Sequence, residues 1–277
     1  MKTIRKFETK RQKLNPTCPC GKSNKDGKFS PEKGFAGMNV GHCHSCSKDF
    51  WNETQSVNEP NMFKKIEVPV FCTPDEQDLI DHFDSNLGSG FTKFLTEKFG
   101  EDNTIEAIRS YYLGVFEGDV IFWQMDRDKY LRAGKVMRYD RDGKRKGVPR
   151  WWHKIKDDNC QLNQYFFGGH LIDDSDKPIA VVEGEKTAVI MSIVNPSFIW
   201  IATGGVGGLQ DNKCNTISEF EVVLFPDAGC FDKWKETADK FSFEISRECE
   251  IWMANGQIRD GDDIADYFLK IGRDCER

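Results

Sequence analysis

The sequence predicts an α/β protein built around a parallel sheet. Two observations carry that expectation. After Pro178, four apolar runs, "PIAVVEG", "FIWIATGG", "EVVLFPDAG" and "CEIWMANG", each end in glycine or a small polar residue. The segments between them have helical spacing, clearest in "DKWKETADKFSFEI", where Trp234, Ala238, Phe241 and Ile245 recur on one face. Strands alternating with helices imply parallel pairing, with helices on both faces of the sheet.

At 277 residues the chain can hold such a core and one small accessory module. Acidic residues outnumber basic ones 45 to 39, a net charge of −6. That excludes a protein that coats nucleic acid indiscriminately, yet leaves room for a local basic surface. The N-terminal "MKTIRKFETKRQKLN" has no apolar h-region, and no apolar run approaches ~18 residues, so neither a signal peptide nor a membrane span is expected. Of the ten cysteines, four fall in two tight pairs. This fits a reducing cytoplasm and one metal site better than a disulfide framework, with the scattered thiols as small buried hydrophobes.

In chain order, residues 1–58 read as a zinc ribbon. "CPCGKSNKDGKF" and "GHCHSC" place Cys18, Cys20, Cys43 and Cys46 as two thiolate pairs, enough for a tetrahedral Zn²⁺ shell. The first pair is Cys-x-Cys rather than the commoner Cys-x-x-Cys. A polar linker is expected at 59–74, and a helical and basic α+β subdomain over 75–177. There the pattern is helical from Asp75 to Ile108, with a cap at Asn103 or Thr104 and a glycine stop at Gly114. Strand-like runs follow, "DVIFWQMD", "YLRAGKVMRYD" and "RWWHKI", with a turn at Asp142-Gly143. The sheet domain occupies 178–277.

The subdomain is strongly cationic inside an acidic protein. Arg132, Lys135, Arg138, Lys144, Arg145, Lys146 and Arg150 are interleaved with aromatics, Trp151 among them. Cations for backbone phosphates and rings for stacking suit single-stranded nucleic acid. The Tyr and Trp residues are equally suited to filling a small β core.

In a parallel sheet, ligands sit at the carboxyl ends of the strands. Here those ends deliver Glu183, Asp227 and the run Asp260, Asp262, Asp263 and Asp266. Converging carboxylates repel unless a cation lies between them, and an all-oxygen donor set suits Mg²⁺ or Mn²⁺. Taken singly, each acid is more simply a solvated strand end or helix cap. Lys186 in the following helical turn and the glycines Gly204 and Gly205 after the second strand are candidate phosphate contacts.

The series "VVEGEKTA", "ATGG", "VVLFPDAG" and "GDDIADYF" resembles the TOPRIM domain shared by bacterial primases and topoisomerases, over about residues 178–270. A zinc ribbon ahead of it is similar to the arrangement in DnaG-type and phage or plasmid primases. "EGEKTA", "WIATGG" and "DIADY" more narrowly resemble primase-like TOPRIM proteins of Bacteroidetes mobile elements and phages, often catalogued only as a domain of unknown function. The resemblance implies a Rossmann-like TOPRIM sheet preceded by the basic α+β subdomain and the zinc ribbon. It implies Glu183 and Asp227 as catalytic residues, and Glu183, Asp227, Asp263 and Asp266 as Mg²⁺ or Mn²⁺ ligands. One position departs: Gly229 stands where the second aspartate of an Asp-x-Asp motif belongs.

Three functions follow as expectations. The first is metal-dependent primer synthesis from nucleoside triphosphates on single-stranded DNA, with a replicative helicase acting in trans. The second is a catalytically reduced DNA-binding or recruitment module, which Gly229 favours. The third is a TOPRIM nuclease.

Overall fold

The computed structural model describes residues 7, 15, 17–33, 39–50, 73–156, 163–173, 176–205 and 207–275. Most of the expected linker lies outside them, as do Cys72, Cys160 and the side chain of Cys275. The chain divides into two compact units, residues 1–67 and 68–277.

In the first unit, β1 (Phe29–Pro31), β2 (Gly41–Cys43) and β3 (Lys48–Phe50) form an antiparallel meander. Its apolar centre is small: Phe29 is fully buried, with Cys18 and Cys43 beside it and Phe50 packed edge-on. So small a core leaves the fold dependent on another source of stability.

The second unit opens with three helices. A capping box between Asp75 and Asp78 starts α1 (Glu76–Asp81). The Ser89 hydroxyl caps α2 (Gly90–Phe99), and α3 (Glu101–Tyr111) begins at Gly100. The helical pattern expected over 75–108 is divided among these three helices, the chain breaking first where Phe83 bridges to Gly114 and again at Gly100. Asn103 and Thr104 are not caps. They lie inside the first turn and donate back to the Phe99 and Gly100 carbonyls. Nor does Gly114 stop the helix: Tyr112, left-handed at φ 50°, ends it, and Gly114 opens the next strand.

An antiparallel sheet follows in the order β4 (Gly114–Phe116), β5 (Asp119–Met125), β6 (Leu131–Tyr139), β7 (Arg145–Trp151), with the expected turn at Asp142-Gly143. The strand expected over "RWWHKI" ends at Trp151, and the rest winds into α4 (Trp152–Lys156). Trp152 packs on Trp123 in the core, so it is no stacking platform.

The parallel sheet has the order β11-β10-β8-β9, from β8 (Ile179–Val182), β9 (Ile199–Ala202), β10 (Val222–Leu224) and β11 (Glu244–Ile245). Every residue of β8 is buried. Ala180 and Val182 face a core shared with α3 and α5 (Glu185–Val194), while Ile179 and Val181 face α7 (Phe231–Phe241). A strand covered on both faces needs such an unbroken apolar run. The short α6 (Asp211–Cys214) adds Cys214 to the second core. Phe167 bridges both Gln124 and Ala202, joining the two sheets.

The fourth strand is not where the sequence places it. α7 stops at Ser242, φ 58°, where the Phe243 amide donates to the Ala238 carbonyl, so Ile245 belongs to β11. "CEIWMANG" forms α8 (Glu248–Ala254) instead. Its Cys249, Trp252 and Met253 meet the core at helical spacing while Ile251 is exposed, a pattern that alternation cannot produce. α9 (Ile264–Cys275) closes the described chain. No described helix is long and apolar enough to cross a membrane.

Ser242→Gly should raise stability by about 0.5–1 kcal/mol, because glycine relieves the left-handed strain but loses more backbone entropy. Urea unfolding would read the gain, and an unchanged or lower midpoint would contradict the cap geometry.

Candidate active site

Because β8 and β10 pair directly, their carboxyl ends place Glu183 and Asp227 side by side. α9 supplies the third group. Asp263 caps it reciprocally with Asp266: the Asp266 amide donates to Asp263 at 2.9 Å, and the Asp263 amide to Asp266 at 3.2 Å. Thr187 on α5 also donates to Asp263. Lys186 turns into this edge, 3.3 Å from an Asp266 oxygen.

Burial, with the charges of Asp263, Glu183 and Asp266 added, pushes the Asp227 carboxyl up to about 8. Burial also raises Asp263, reinforced by Asp266. It raises Glu183 too, although Lys135 and Lys233 pull the other way. All three carboxyls resist ionising together, and a bound divalent cation would relieve that resistance. Their oxygens stand apart. Among the described residues, only Cys18, Cys20 and Cys43 bring three ligand atoms within 4.8 Å of one another.

Gly229 sits at φ +83°, and a Cβ built on it would lie 2.2 Å from Asp260 Oδ1. The Asp260 carboxylate therefore occupies the space that a side chain at 229 would need. The sequence signals Asp260 only as one member of an acidic run. The acceptor of the Gly229 amide, Glu250 at 2.8 Å, carries no sequence signal, since it falls in the segment misread as a strand.

Lys135 does not belong with the surface cations. Its ammonium is buried, 2.9 Å from both Glu185 oxygens and 2.9 Å from the Gly204 carbonyl. Glu185 is likewise buried, at 2 % side-chain exposure. The two partners lie fifty positions apart, beyond the reach of any local pattern. Gly204 and Gly205 form the turn after β9, and the Gly204 amide donates to the Glu183 carbonyl.

Most of the other cluster cations are engaged by neighbouring acids. Arg132 pairs with Asp126, Arg138 and Arg150 share Asp119, and Lys146 pairs with Asp140. Lys144 and Arg145, at the turn into the edge strand β7, are exposed, and Trp151 is half-buried.

In the first unit the thiols converge, Cys18 to Cys20 at 3.1 Å and Cys20 to Cys43 at 3.9 Å, with Cys46 bonding to Cys43 and Cys20. Burial lifts Cys18 to about 12. Burial opposes ionisation at Cys43 as well, but bonds from Cys18, Cys46 and Ser45 outweigh it and bring that thiol to about 6. Four thiols sharing little negative charge are suited to a metal ion.

Residues 89–228, half of the chain, match the family described as a domain of unknown function, DUF6371. The chain belongs to this family. No curated protein matches the DUF6371 chain. Among solved structures it is similar to the primase fragment of the bacteriophage T7 primase-helicase protein, at 16% identity over 98% of both chains with a TM-score of 0.45. It is also similar to the RNA polymerase domain of Mycobacterium tuberculosis primase DnaG, at 12% identity over 72% of this chain and 78% of that one, TM-score 0.42. The zinc-binding and RNA polymerase domains of Aquifex aeolicus primase give 14% identity over 73% and 53%, TM-score 0.37. Likeness at this level assigns no residue.

Two outcomes follow from the charges. Lys135→Met should cost about 3–5 kcal/mol in urea unfolding by leaving Glu185 buried and unpaired, while Lys135→Met with Glu185→Leu regains most of it. A near-neutral single variant would show the pair to be hydrated. The raised Asp227 makes the folded, metal-free protein hold a proton that the unfolded chain releases near 3.8. The resulting stability is full below that value and lost as pH rises toward about 8. Compared with Asp227→Asn, wild type should lose melting temperature between about pH 5 and about pH 7.5, and parallel curves would contradict it.

Proposed function

We propose that the protein is a metal-dependent, primase-like nucleotidyltransferase acting on single-stranded DNA. The observation that carries this reading is the placement of Glu183, Asp227 and Asp263 along one sheet edge, where burial and acidic neighbours oppose the ionisation of each, with the Asp260 carboxylate in the space beside Gly229. These oxygen donors fit a hard divalent cation, Mg²⁺ or Mn²⁺, with Asp266 behind them, whereas the four thiols fit structural Zn²⁺. The divalent ion, when bound, supplies a Lewis acid for the phosphoryl oxygens of a nucleoside triphosphate.

The chain's own groups supply the remaining chemistry. Glu183, half-buried with its proton affinity raised, accepts the proton of an attacking 3′-hydroxyl. The hydroxyl oxygen bonds to the α-phosphorus, and the bond from that phosphorus to the pyrophosphate oxygen breaks. The Gly204-Gly205 turn and Lys186 border the same edge and contact phosphate. Lys144 and Arg145, exposed at the start of β7, hold the template backbone. The absence of a side chain at 229 favours a catalytically reduced binding module, but the Asp260 carboxylate weakens that alternative.

Primer synthesis on single-stranded DNA, with labelled nucleoside triphosphates and Mg²⁺ or Mn²⁺, tests the proposal. Short metal-dependent products are expected, reduced by about 10²-fold or more in Glu183→Gln and Asp227→Asn. Gly229→Asp should not increase them, because the new side chain meets Asp260. Salt-sensitive DNA binding without products, unchanged in both variants, would make the protein a binding module. Degraded template would make it a nuclease.

A further inference from the structure

Four aromatics, Tyr130, Tyr139, Trp151 and Trp152, are interleaved with the cations of the basic subdomain. Trp152 fills the core, Tyr139 packs on Phe91 and Phe122, and Trp151 is half-buried. Of the four, only Tyr130 stands in solvent, at 65 % exposure, on the hairpin between β5 and β6. Asp126, at 6 % exposure, fixes that hairpin from inside. Its carboxylate accepts the Tyr130 amide at 2.9 Å and Arg132 Nε at 2.7 Å, while its backbone bonds to those of Tyr130 and Lys129. Arg132 lies over the Tyr130 ring, its guanidinium carbon 5.9 Å from the centre. Lys129, left-handed at φ 65°, is exposed and has no ion pair among the described residues.

A cleft of about 650 Å³ opens beside this ring, and Tyr130, Lys129 and Arg132 all line it. Buried Met125 and half-buried Leu79 give the lining an apolar part, and Glu76 and Asp128 are its exposed acids. A run of phosphates would meet repulsion from those two carboxylates. A base meets none: its faces stack on the ring and the apolar lining, and its edge N–H groups find acceptors in the acids. Because Asp126 already holds Tyr130 and Arg132 in place, binding orders few side chains.

We propose that this cleft takes the base of one unpaired nucleotide of single-stranded DNA, stacked on Tyr130 with its phosphate on Lys129. The occupant rests on the single-strand reading above, and the contact is one that reading leaves out. β6, nine residues and about 26 Å long, runs from this hairpin to the turn that carries Lys144 and Arg145. The strand is therefore gripped at both ends of β6, by a stacked base at one and by backbone phosphates at the other.

Fluorescence anisotropy of the full chain with labelled oligothymidylate, in EDTA, reads the contact without catalysis. Tyr130→Ala should weaken binding by about fivefold or more, and Tyr130→Phe should stay within about twofold of wild type. Because the ring is exposed, both variants should melt with wild type. Tyr130→Ala should leave the salt dependence unchanged, whereas Lys129→Met should lower its slope by about 0.7. On an oligonucleotide of abasic sites, wild type and Tyr130→Ala should bind alike. Equal affinity of the two for oligothymidylate would overturn the cleft and leave Tyr130 to a protein partner. A loss of the same size on the abasic strand would overturn stacking. A wild type that binds no single strand at all would sink the template reading as well. One that binds through Lys144 and Arg145 but ignores Tyr130→Ala would sink the cleft alone. Absent primer synthesis would leave this metal-free contact standing.

Discussion

The second unit depends on one buried ion pair, Lys135 with Glu185, at the place where its two sheets meet. The ammonium of β6 reaches the first turn of α5 and the turn after β9 at once. Such a pair adds little to stability over a well-packed apolar replacement, but it tolerates few alternatives. A slip of β6 by one residue would turn Lys135 to the opposite face and strand Glu185 without a partner. Glu183 is two residues from Glu185, and its carbonyl accepts from Gly204, so the same contact fixes where the acidic edge begins.

That arrangement explains why β8 ends in Glu-Gly-Glu. The two glutamates leave the strand in different directions and meet opposite environments. Glu185 turns inward and is matched by a cation, while Glu183 stays half-buried among other acids that raise its proton affinity. Gly184 between them, extended at φ −98° and ψ 140°, is the N-cap residue at which the strand gives way to α5. One glutamate organises the scaffold and the other is left electrostatically unsatisfied, which is the condition a bound cation or a reacting proton would relieve.

What was legible in the sequence was local. The runs that became β8, β9 and β10 are apolar throughout because both faces of the sheet are covered, and the Asp142-Gly143 turn and the paired cysteines are signalled by neighbours in the chain. What was illegible depends on distance or on competition between periods. "CEIWMA" reads as a strand until the core is known to meet only Cys249, Trp252 and Met253. β11 is two residues long and carries no period of its own. Lys135 reads as one more surface cation, because nothing near it in the chain announces a partner fifty positions on.

The same limit governs Gly229. Counted along the chain, the Asp-x-Asp pattern lacks its second carboxylate, and the loss argues for a weakened site. Counted in space, Asp260 arrives from the loop before α9 and takes the volume that a side chain at 229 would fill. The left-handed backbone at 229 makes the exchange mutual: glycine is needed there, and the room it leaves is used. A cation is indifferent to which segment donates an oxygen, provided charge and distance are met. Whether an acidic edge is depleted is therefore decided by its geometry, and a missing motif residue is evidence of lost chemistry only after the space around it has been searched.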